Sequence, residues 1–310
     1  MAGVDAPRPD LGVLVVTYNS RAFIGDCLDA VQRTVLDHTV DVVIADNAST
    51  DDSVTVAKSH LRHATIIEMG RNAGFAAANN AAMRATSARH LVLLNGDAFV
   101  APGALDTMIA FLDAHPDAGV VAPGLRNLDG SDQRTARSFP TPAAAIWGRR
   151  SPLTRWFPRN RWSQRYLAPA ARSDVHPYEV DWVSGACLMV PRSVVDSVGG
   201  LDEGFFMHWE DADWCRRIND AGFSVWCVPE AVVVHAEGGS RRGWPVAQVR
   251  YFHRGAYRYY AKHHLDGPRR VFRPLAAAAL GARAVGIIAR DRVLRRTRRR
   301  PNLSPVGTGE

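Results

Sequence analysis

The sequence predicts an α/β protein with a mainly parallel sheet and helices on both faces. Three observations support this. Short, continuously apolar runs over 11–17, 40–45, 65–69, 91–94 and 118–122 read as buried strands. Segments with apolar residues at helical spacing separate them. Polar residues gather just after the runs, where open α/β sheets bind their ligands.

Each element follows from its local pattern. The run 11–17 precedes a segment, 21–35, whose apolar Phe23, Cys27, Leu28, Val31 and Val35 recur at helical spacing. The strand 40–45 is followed by a helix over about 52–60. The strand 65–69 leads into an Ala-rich helix over 74–87, then the strand 91–94. Pro102 opens the next helix, because proline fits a first helical turn. The pattern changes after 125. Residues 140–180 are rich in Pro, Arg and Trp and have no clear period. A strand is expected over 183–190 and a helix over 209–221, with Trp214, Ile218 and Ala221 on one face. A short strand, 232–234, ends at His235. An aromatic helix over 245–263 precedes a basic tail. The chain thus divides into 1–125, 126–265 and 266–310.

Composition narrows the function. A chain of 310 residues with 46% hydrophobic content buries a full core. Of the net charge of +7, the segment 268–310 alone carries +9, from eleven Arg against one Asp and one Glu. The rest is near −2, so the body does not suit nucleic acid. The four cysteines are scattered with no C-x-x-C pair, as expected of buried, reduced thiols in a cytosolic protein. The N-terminus lacks the apolar core of a signal peptide. The longest apolar stretch, 275–289, is shorter than the roughly 20 residues that span a bilayer, and Arg283 interrupts it.

Four strand ends deliver polar groups: Thr17-Tyr18-Asn19, then D-N-A-S-T-D at 46–51, R-N-A-G-F-A-A-A-N-N at 71–80, and Asn95-Gly96-Asp97. Each alone is ordinary turn and cap chemistry. All four in order suit a nucleotide diphosphate. Tyr18 can stack on a base, and Asp46 can accept its imide N–H. Asn72 and Asn79 are candidates for ribose and base edges, and Gly74 permits close backbone approach. Asp97 is the natural ligand for the Mg²⁺ or Mn²⁺ that a diphosphate needs. No G-x-G-x-x-G follows the first strand, which disfavours a dinucleotide oxidoreductase. No Gly-rich, Lys-bearing phosphate loop supports a nucleotidyltransferase.

In the second half, Glu210, Asp211 and Asp213 crowd a helix start. Acidic residues favour that end of a helix dipole in any protein. They can equally supply a general base, since crowded carboxylates raise one another's pKa. His235 is a metal ligand, a diphosphate contact or a structural histidine.

T-Y-N, D-N-A-S-T-D, N-A-G-F-A-A-A-N-N, L-N-G-D, W-V-S-G-A-C-L-M-V-P-R, F-F-M-H-W-E-D-A-D-W-C and H-A-E-G-G-S occur in this order. Together, over about 10–265, they resemble the family 2 inverting glycosyltransferases of GT-A fold. The resemblance implies a nucleotide-sugar-binding half (1–125) and an acceptor-binding, catalytic half (126–265). It implies that Thr17, Tyr18, Asn19, Asp46, Asn72, Gly74, Asn79 and Asn95 line the donor. Asp97 would hold the metal, with His235 assisting it or the diphosphate. Asp211 would be the base within the cluster of Glu210, Asp211 and Asp213. Trp182, Ser184, Gly185 and Trp209 would face the acceptor. Gly96 departs from the family's usual L-N-P-D, which loosens the turn but leaves the carboxylate.

Within the family the layout is most similar to rhamnosyltransferases acting on N-acetylglucosaminyl-diphospho-polyprenol. The features are R-N-L-D-G-S at 126–131, the W-V-S-G-A-C strand, the E-D-A-D-W helix and the Arg-rich C-terminus. This implies a dTDP-L-rhamnose donor and a lipid-linked saccharide acceptor. A UDP- or GDP-sugar donor, or a non-catalytic nucleotide-sugar or glycan-binding module, is the alternative. The presence of Asp97, Asp211 and His235 argues against the module. The segment 269–300 mixes apolar residues with Arg, and either lies on an anionic membrane surface or is solvated. The Trp- and Arg-rich segment 147–162 suits a membrane interface, an acceptor diphosphate or a surface loop. The expected location is cytoplasmic, peripheral on the inner face of the plasma membrane, with no nucleic-acid partner.

Overall fold

The computed structural model describes residues 8–34, 38–141, 176–236 and 246–298. Val35, the Trp- and Arg-rich segment 147–162, residues 237–240 of H-A-E-G-G-S and residues 299–310 lie outside the described residues. The chain forms two compact units, Met1–Gly239 and Ser240–Glu310.

In the first unit, strand and helix alternate: β1 (Leu11–Thr17), α1 (Ile24–Thr34), β2 (Val40–Asp46), α2 (Ser53–His60), β3 (Thr65–Glu68), α3 (Phe75–Arg84) and β4 (His90–Asn95). Then come β5 (Ala98–Val100), α4 (Ala104–Ala114), β6 (Ala118–Arg126), β7 (Tyr178–Glu179), β8 (Cys187–Pro191), α5 (Arg192–Val198), α6 (Glu210–Asp220) and β9 (Ser224–His235). One sheet holds them in the order β3-β2-β1-β4-β8-β6-β9-β5, with β7 on β9.

The first four strands are mutually parallel, and β1 lies between β2 and β4. Sheet order reverses direction at β1, so the ends of β1, β2 and β4 open into one crevice. Alternation puts core on both faces. Leu11, Val13 and Val15 of β1 and Val92 and Leu94 of β4 pack with α1 and α4. Leu14, Leu91 and Leu93 pack on the opposite side with α3, α5 and α6.

The sheet combines parallel and antiparallel pairs. β8 lies antiparallel between β4 and β6. An apolar run reports burial on two faces but not strand direction.

Three strands escape the sequence pattern wholly or in part. β5 has only three residues and β7 only two, too few to show a period. β9 has twelve, of which only the last stretch was expected, because Pro229 and Glu230 interrupt the apolar run. A register shift opposite β6 marks that interruption, and such bulges bend a strand. The far half of β9 pairs with β5, setting Ala98 opposite His235. The expected strand over 183–190 begins only at Cys187. Residues 183–186 turn instead, and the Gly185 N–H donates to a side chain rather than to a ladder.

In the second unit, α7 (Val246–His263) is followed by a 3₁₀ turn, Gly267–Phe272, and α8 (Arg273–Arg298). The α7 and α8 helices pack together, and Arg283 donates to His253 at 2.9 Å. The stretch Gly267–Val293 is long and apolar enough to cross a membrane by length and composition, and none of it is buried. That exceeds the length expected from the apolar run 275–289, because the 3₁₀ turn and α8 follow one another and the flanking apolar Val271, Phe272 and Val293 join the run.

Candidate active site

The first pole of the site is a pair of clasped loops at the ends of β1 and β2. Asn19 sits in the left-handed region (φ 52°), and its Oδ1 accepts from the Thr50 N–H at 2.8 Å. The Asn19 N–H donates to Ser49 Oγ at 2.9 Å. Asn19 is thereby committed to holding the 46–51 loop. Asp46 is buried, and its carboxylate accepts the Ser49 N–H at 3.0 Å. Tyr18 stands beside it, half-exposed, with an open ring face. Thr17 is fully buried, and its hydroxyl oxygen has no hydrogen-bond partner among the described residues.

Asn47 was not singled out in the sequence, yet it joins two of the loops. Its Nδ2 donates to Gly74 O at 3.1 Å, and its Oδ1 accepts the Ala73 N–H at 2.9 Å. Its position in D-N-A-S-T-D, directly after a buried strand, was the available signal. Asn72 turns inward to accept the Gly74 N–H at 3.1 Å. Gly74 (φ 90°) ends this loop, and a Cβ there would lie 2.5 Å from Phe206 O. The Phe75 N–H donates to that same carbonyl at 2.9 Å. Gly74 is thus where the donor-side loops meet the segment leading to α6.

Asn79 corrects an expectation. It is fully buried within α3, and its Nδ2 donates back to Phe75 O at 3.0 Å. Helical periodicity places it a turn below the helix start, facing the core, where its Oδ1 has no hydrogen-bond partner among the described residues. The neighbouring Asn80 is likewise structural, bridging Leu201 N and O.

The second pole forms where β4 ends and β9 ends. Asp97 Oδ1 lies 3.3 Å from His235 Nε2, and Asn95 Nδ2 lies 3.3 Å from the same nitrogen. The Ala236 N–H donates to Asp97 O at 2.9 Å. Gln133, also unforeseen, settles the histidine's tautomer. Its Nε2 donates to Asn127 Oδ1 (2.9 Å) and His235 O (2.7 Å), which fixes the amide orientation. Its Oε1 therefore faces His235 Nδ1 at 3.1 Å, and that nitrogen must carry the proton. In the neutral ring Nε2 then accepts from Asn95 Nδ2 and faces Asp97 Oδ1. A lone pair and a carboxylate oxygen facing each other suit a bound cation. Gln133 lies just past R-N-L-D-G-S, and only the fold shows what that loop is for.

The third pole is the start of α6. His208 (φ 69°) and Trp209 (φ 77°) are consecutive left-handed residues, each costing about 1–3 kcal/mol. They turn the chain so that α6 begins with its acids toward Gly185. Asp211 Oδ2 accepts the Gly185 N–H at 3.2 Å, and Oδ1 accepts the Ala212 N–H at 2.8 Å. Burial raises the Asp211 pKa, while those two N–H groups and the Arg137 charge hold it down. Glu210 is buried, with Oε2 unpartnered among the described residues. Burial first, then the Asp211 charge, pushes Glu210 up to about 8. At neutral pH Glu210 is thus mostly protonated, and burial also raises Asp211, against the two N–H groups and the Arg137 charge that favour its ionised form.

Asp213 is a second correction. It is fully buried, and its Oδ2 accepts from Arg217 Nε at 3.0 Å. Arg217 also donates to Val198 O and Gly200 O. Three residues from Glu210 on a helix, Asp213 points into this structural network.

The acceptor-side candidates lie around Asp211. Trp182 Nε1 donates to Ser138 O at 2.9 Å, and Ser184 Oγ accepts the Ala186 N–H at 3.3 Å. A Cβ on Gly185 would meet Phe75 at 3.1 Å and Asp211 Cβ at 3.7 Å. Trp209 is the residue preceding α6.

Comparison with known proteins resolves what this arrangement belongs to. The model of glycosyl transferase family 2 matches residues 12–196, which hold the clasped loops and Asp97. This chain belongs to glycosyl transferase family 2. It is a nucleotide-sugar-dependent glycosyltransferase. The N-acetylglucosaminyl-diphospho-decaprenol L-rhamnosyltransferase of Mycobacterium tuberculosis is 29% identical over 94% of this chain and 96% of its own length. The dTDP-rhamnosyl transferase RfbF of Shigella flexneri is 23% identical over 73% of this chain and 68% of its own. Among solved structures, the mannosyltransferase PcManGT of Pyrobaculum calidifontis superposes with a TM-score of 0.55. Its identity is 20%, and the match covers 93% of this chain and 81% of that one. S. aureus TarS 1-349 gives a TM-score of 0.51 at 12% identity, covering 89% and 81%. These two likenesses establish the GT-A fold of the family 2 enzyme.

Proposed function

We propose that this family 2 enzyme transfers L-rhamnose from dTDP-L-rhamnose to a saccharide carried on a polyprenyl diphosphate, with inversion at the anomeric carbon. The observation behind it is the end-to-end match to the mycobacterial rhamnosyltransferase. The Shigella relative, named for the same donor, adds to it.

The residues take these roles. Tyr18 offers its exposed ring to the base, and Asp46 keeps lone pairs for the imide N–H. Thymine and uracil present the same imide, so the base contacts do not separate dTDP from UDP. Asp97 and His235 would hold Mg²⁺ or Mn²⁺. Among the described residues no three metal-ligating side chains converge, which fits a cation that a diphosphate helps to hold. When bound, such a cation offsets the charge that builds on the departing diphosphate.

Asp211 takes the proton from the acceptor hydroxyl as that oxygen attacks the anomeric carbon. The bond from that carbon to the diphosphate oxygen breaks on the opposite face. A β-linked donor thereby gives an α-rhamnoside. Protonated Glu210 spares Asp211 a second negative charge. The α8 helix, with exposed Leu275, Val285 and Val293 among its arginines, brings the enzyme to the inner membrane surface where the lipid acceptor resides.

The test is a titration of purified protein with a panel of dTDP-, UDP- and GDP-sugars in Mg²⁺ and Mn²⁺, repeated with Asp97→Ala. dTDP-rhamnose should bind most tightly, and the variant should lose metal-dependent binding and transfer. Tighter binding of UDP-galactose or GDP-mannose would refute the rhamnose assignment. Metal-dependent transfer retained in Asp97→Ala would refute the metal assignment.

A further inference from the structure

Among the described residues, Arg137 is a cation without a carboxylate partner. It is half-buried, and among the described residues its guanidinium makes one hydrogen bond, from Nε to Arg134 O at 3.3 Å. Neither Nη group meets a hydrogen-bond acceptor among them, and no carboxylate there lies within 4 Å. A partly desolvated guanidinium with four undirected N–H donors is costly unless an anion completes it.

Its position is fixed from two sides. The Arg137 N–H donates to Trp182 O at 3.0 Å, and the Trp182 N–H returns to Arg137 O at 3.1 Å. The guanidinium carbon lies 5.4 Å from the centroid of the Trp182 ring, a cation–π contact that holds the plane in place. Trp182 opens the turn whose Gly185 N–H binds Asp211. The guanidinium therefore belongs to the Asp211 pole of the site. The pole that would serve the donor's diphosphate, Asp97 with His235, is built from other elements.

We propose that Arg137 binds a phosphate of the acceptor, the group attached to the sugar whose hydroxyl faces Asp211. The inference rests on the proposed function, since it needs an acceptor sugar joined to a diphosphate. In such an acceptor the anion lies one sugar ring away from the attacking hydroxyl. A planar guanidinium with free N–H groups, close to the carboxylate that takes the proton, matches that arrangement. Its charge also opposes the rise that burial imposes on the Asp211 pKa, so one residue would both register the acceptor and favour the ionised base.

The experiment compares two acceptors: N-acetylglucosaminyl diphosphate on a short prenyl chain, and a neutral alkyl N-acetylglucosaminide. The readout is the ratio of their kcat/KM values with dTDP-rhamnose as donor. Any effect exerted through Asp211 alone changes both terms and cancels. Wild type should favour the diphosphate at least tenfold. Arg137→Gln should lower that preference by roughly tenfold to a hundredfold, as loss of charge-assisted hydrogen bonds does. Arg137→Lys, which keeps a point charge without the fork, should fall between them. An equal loss on both acceptors, leaving the ratio unchanged, would overturn the assignment and make Arg137 a positioning residue for Asp211. A raised donor KM at unchanged ratio would overturn it in favour of the donor's diphosphate. If Arg137→Gln does not fold, a wild-type preference near unity is enough to reject the inference. Wild-type transfer to the neutral acceptor alone also rejects it, and turnover of neither acceptor would overturn the proposed function itself.

Discussion

At the scale of single residues, the acid cluster separates into three different jobs. Asp211 is partly buried and accepts two backbone N–H groups, Glu210 is buried with no partner for Oε2 among the described residues, and Asp213 is ion-paired to Arg217. Asp211→Asn should bind donor but lose turnover by about a hundredfold or more, because the amide cannot take a proton. Asp213→Asn should keep turnover per folded molecule and lower stability by about 3 kcal/mol, because it breaks a buried pair. Kinetics and denaturant melts on the two variants check this, and the reverse pattern would move the base to Asp213. Glu210 adds a pH dependence. Its folded pKa is raised to about 8 from a usual 4.5, so the folded state holds the proton more tightly than the unfolded chain. Its contribution is therefore complete below about pH 4.5 and is lost as pH rises toward about 8. Glu210→Gln should flatten the decline in Tm across that window. An unchanged slope would show that Glu210 ionises freely in the fold.

At the scale of elements, the site is made by turns that the neighbouring elements force. β5 leaves β4 after two residues and pairs with the end of β9, which brings Asp97 to His235. The loop before α3 closes on the segment before α6 through Gly74 and Phe206. Two glycines in these turns have opposite demands. Gly74 has φ 90° and no room for a Cβ, whereas a Cβ on Gly96 would make only ordinary contacts at 3.5 Å. Gly96 has no positive φ, so replacing the family's proline costs the turn no special conformation. Gly74→Ala should destabilise the protein by at least about 2 kcal/mol and weaken donor binding. Gly96→Ala should stay within about 1 kcal/mol of the parent. Equal effects in a paired thermal melt would show that the Gly74–Phe206 contact is not what sets this turn.

At the scale of the whole molecule, charge and apolar surface are distributed by region. The slightly acidic body would be repelled by anionic lipid, while 268–310 carries +9. Each basic residue near such a surface contributes about 1 kcal/mol, fading within a Debye length. The 26-residue α8 would be about 39 Å long and exposes Leu275, Val285 and Val293. Deleting 269–310 should release the protein from anionic liposomes and slow transfer to a lipid acceptor, while sparing donor hydrolysis. Cosedimentation across a salt series checks this. Equal binding by the truncated protein would assign membrane contact to another segment, with 147–162 the next to test.

Much of this could be read from the residues in order, because local patterns report local physics. Apolar runs such as 11–17 and 40–45 mark burial on two faces, and the polar groups that follow them mark strand ends. The order of the strand-end motifs points to the family without any tertiary contact. Tertiary structure decided the rest. That Asn79 and Asp213 are buried depends on which helix faces meet the core, and their neighbours in sequence do not state this. Asn47, Gln133 and Arg137 act through partners 26, 102 and 45 positions away. No window on the sequence spans such distances, and many polar residues would serve equally well until the fold brings one to its partner. The sequence by itself determined the layers, the strand-end chemistry and the family. Only packing decided which acid meets Gly185, which histidine nitrogen faces Asp97 and which arginine stands over Trp182, because those depend on contacts between elements distant along the chain.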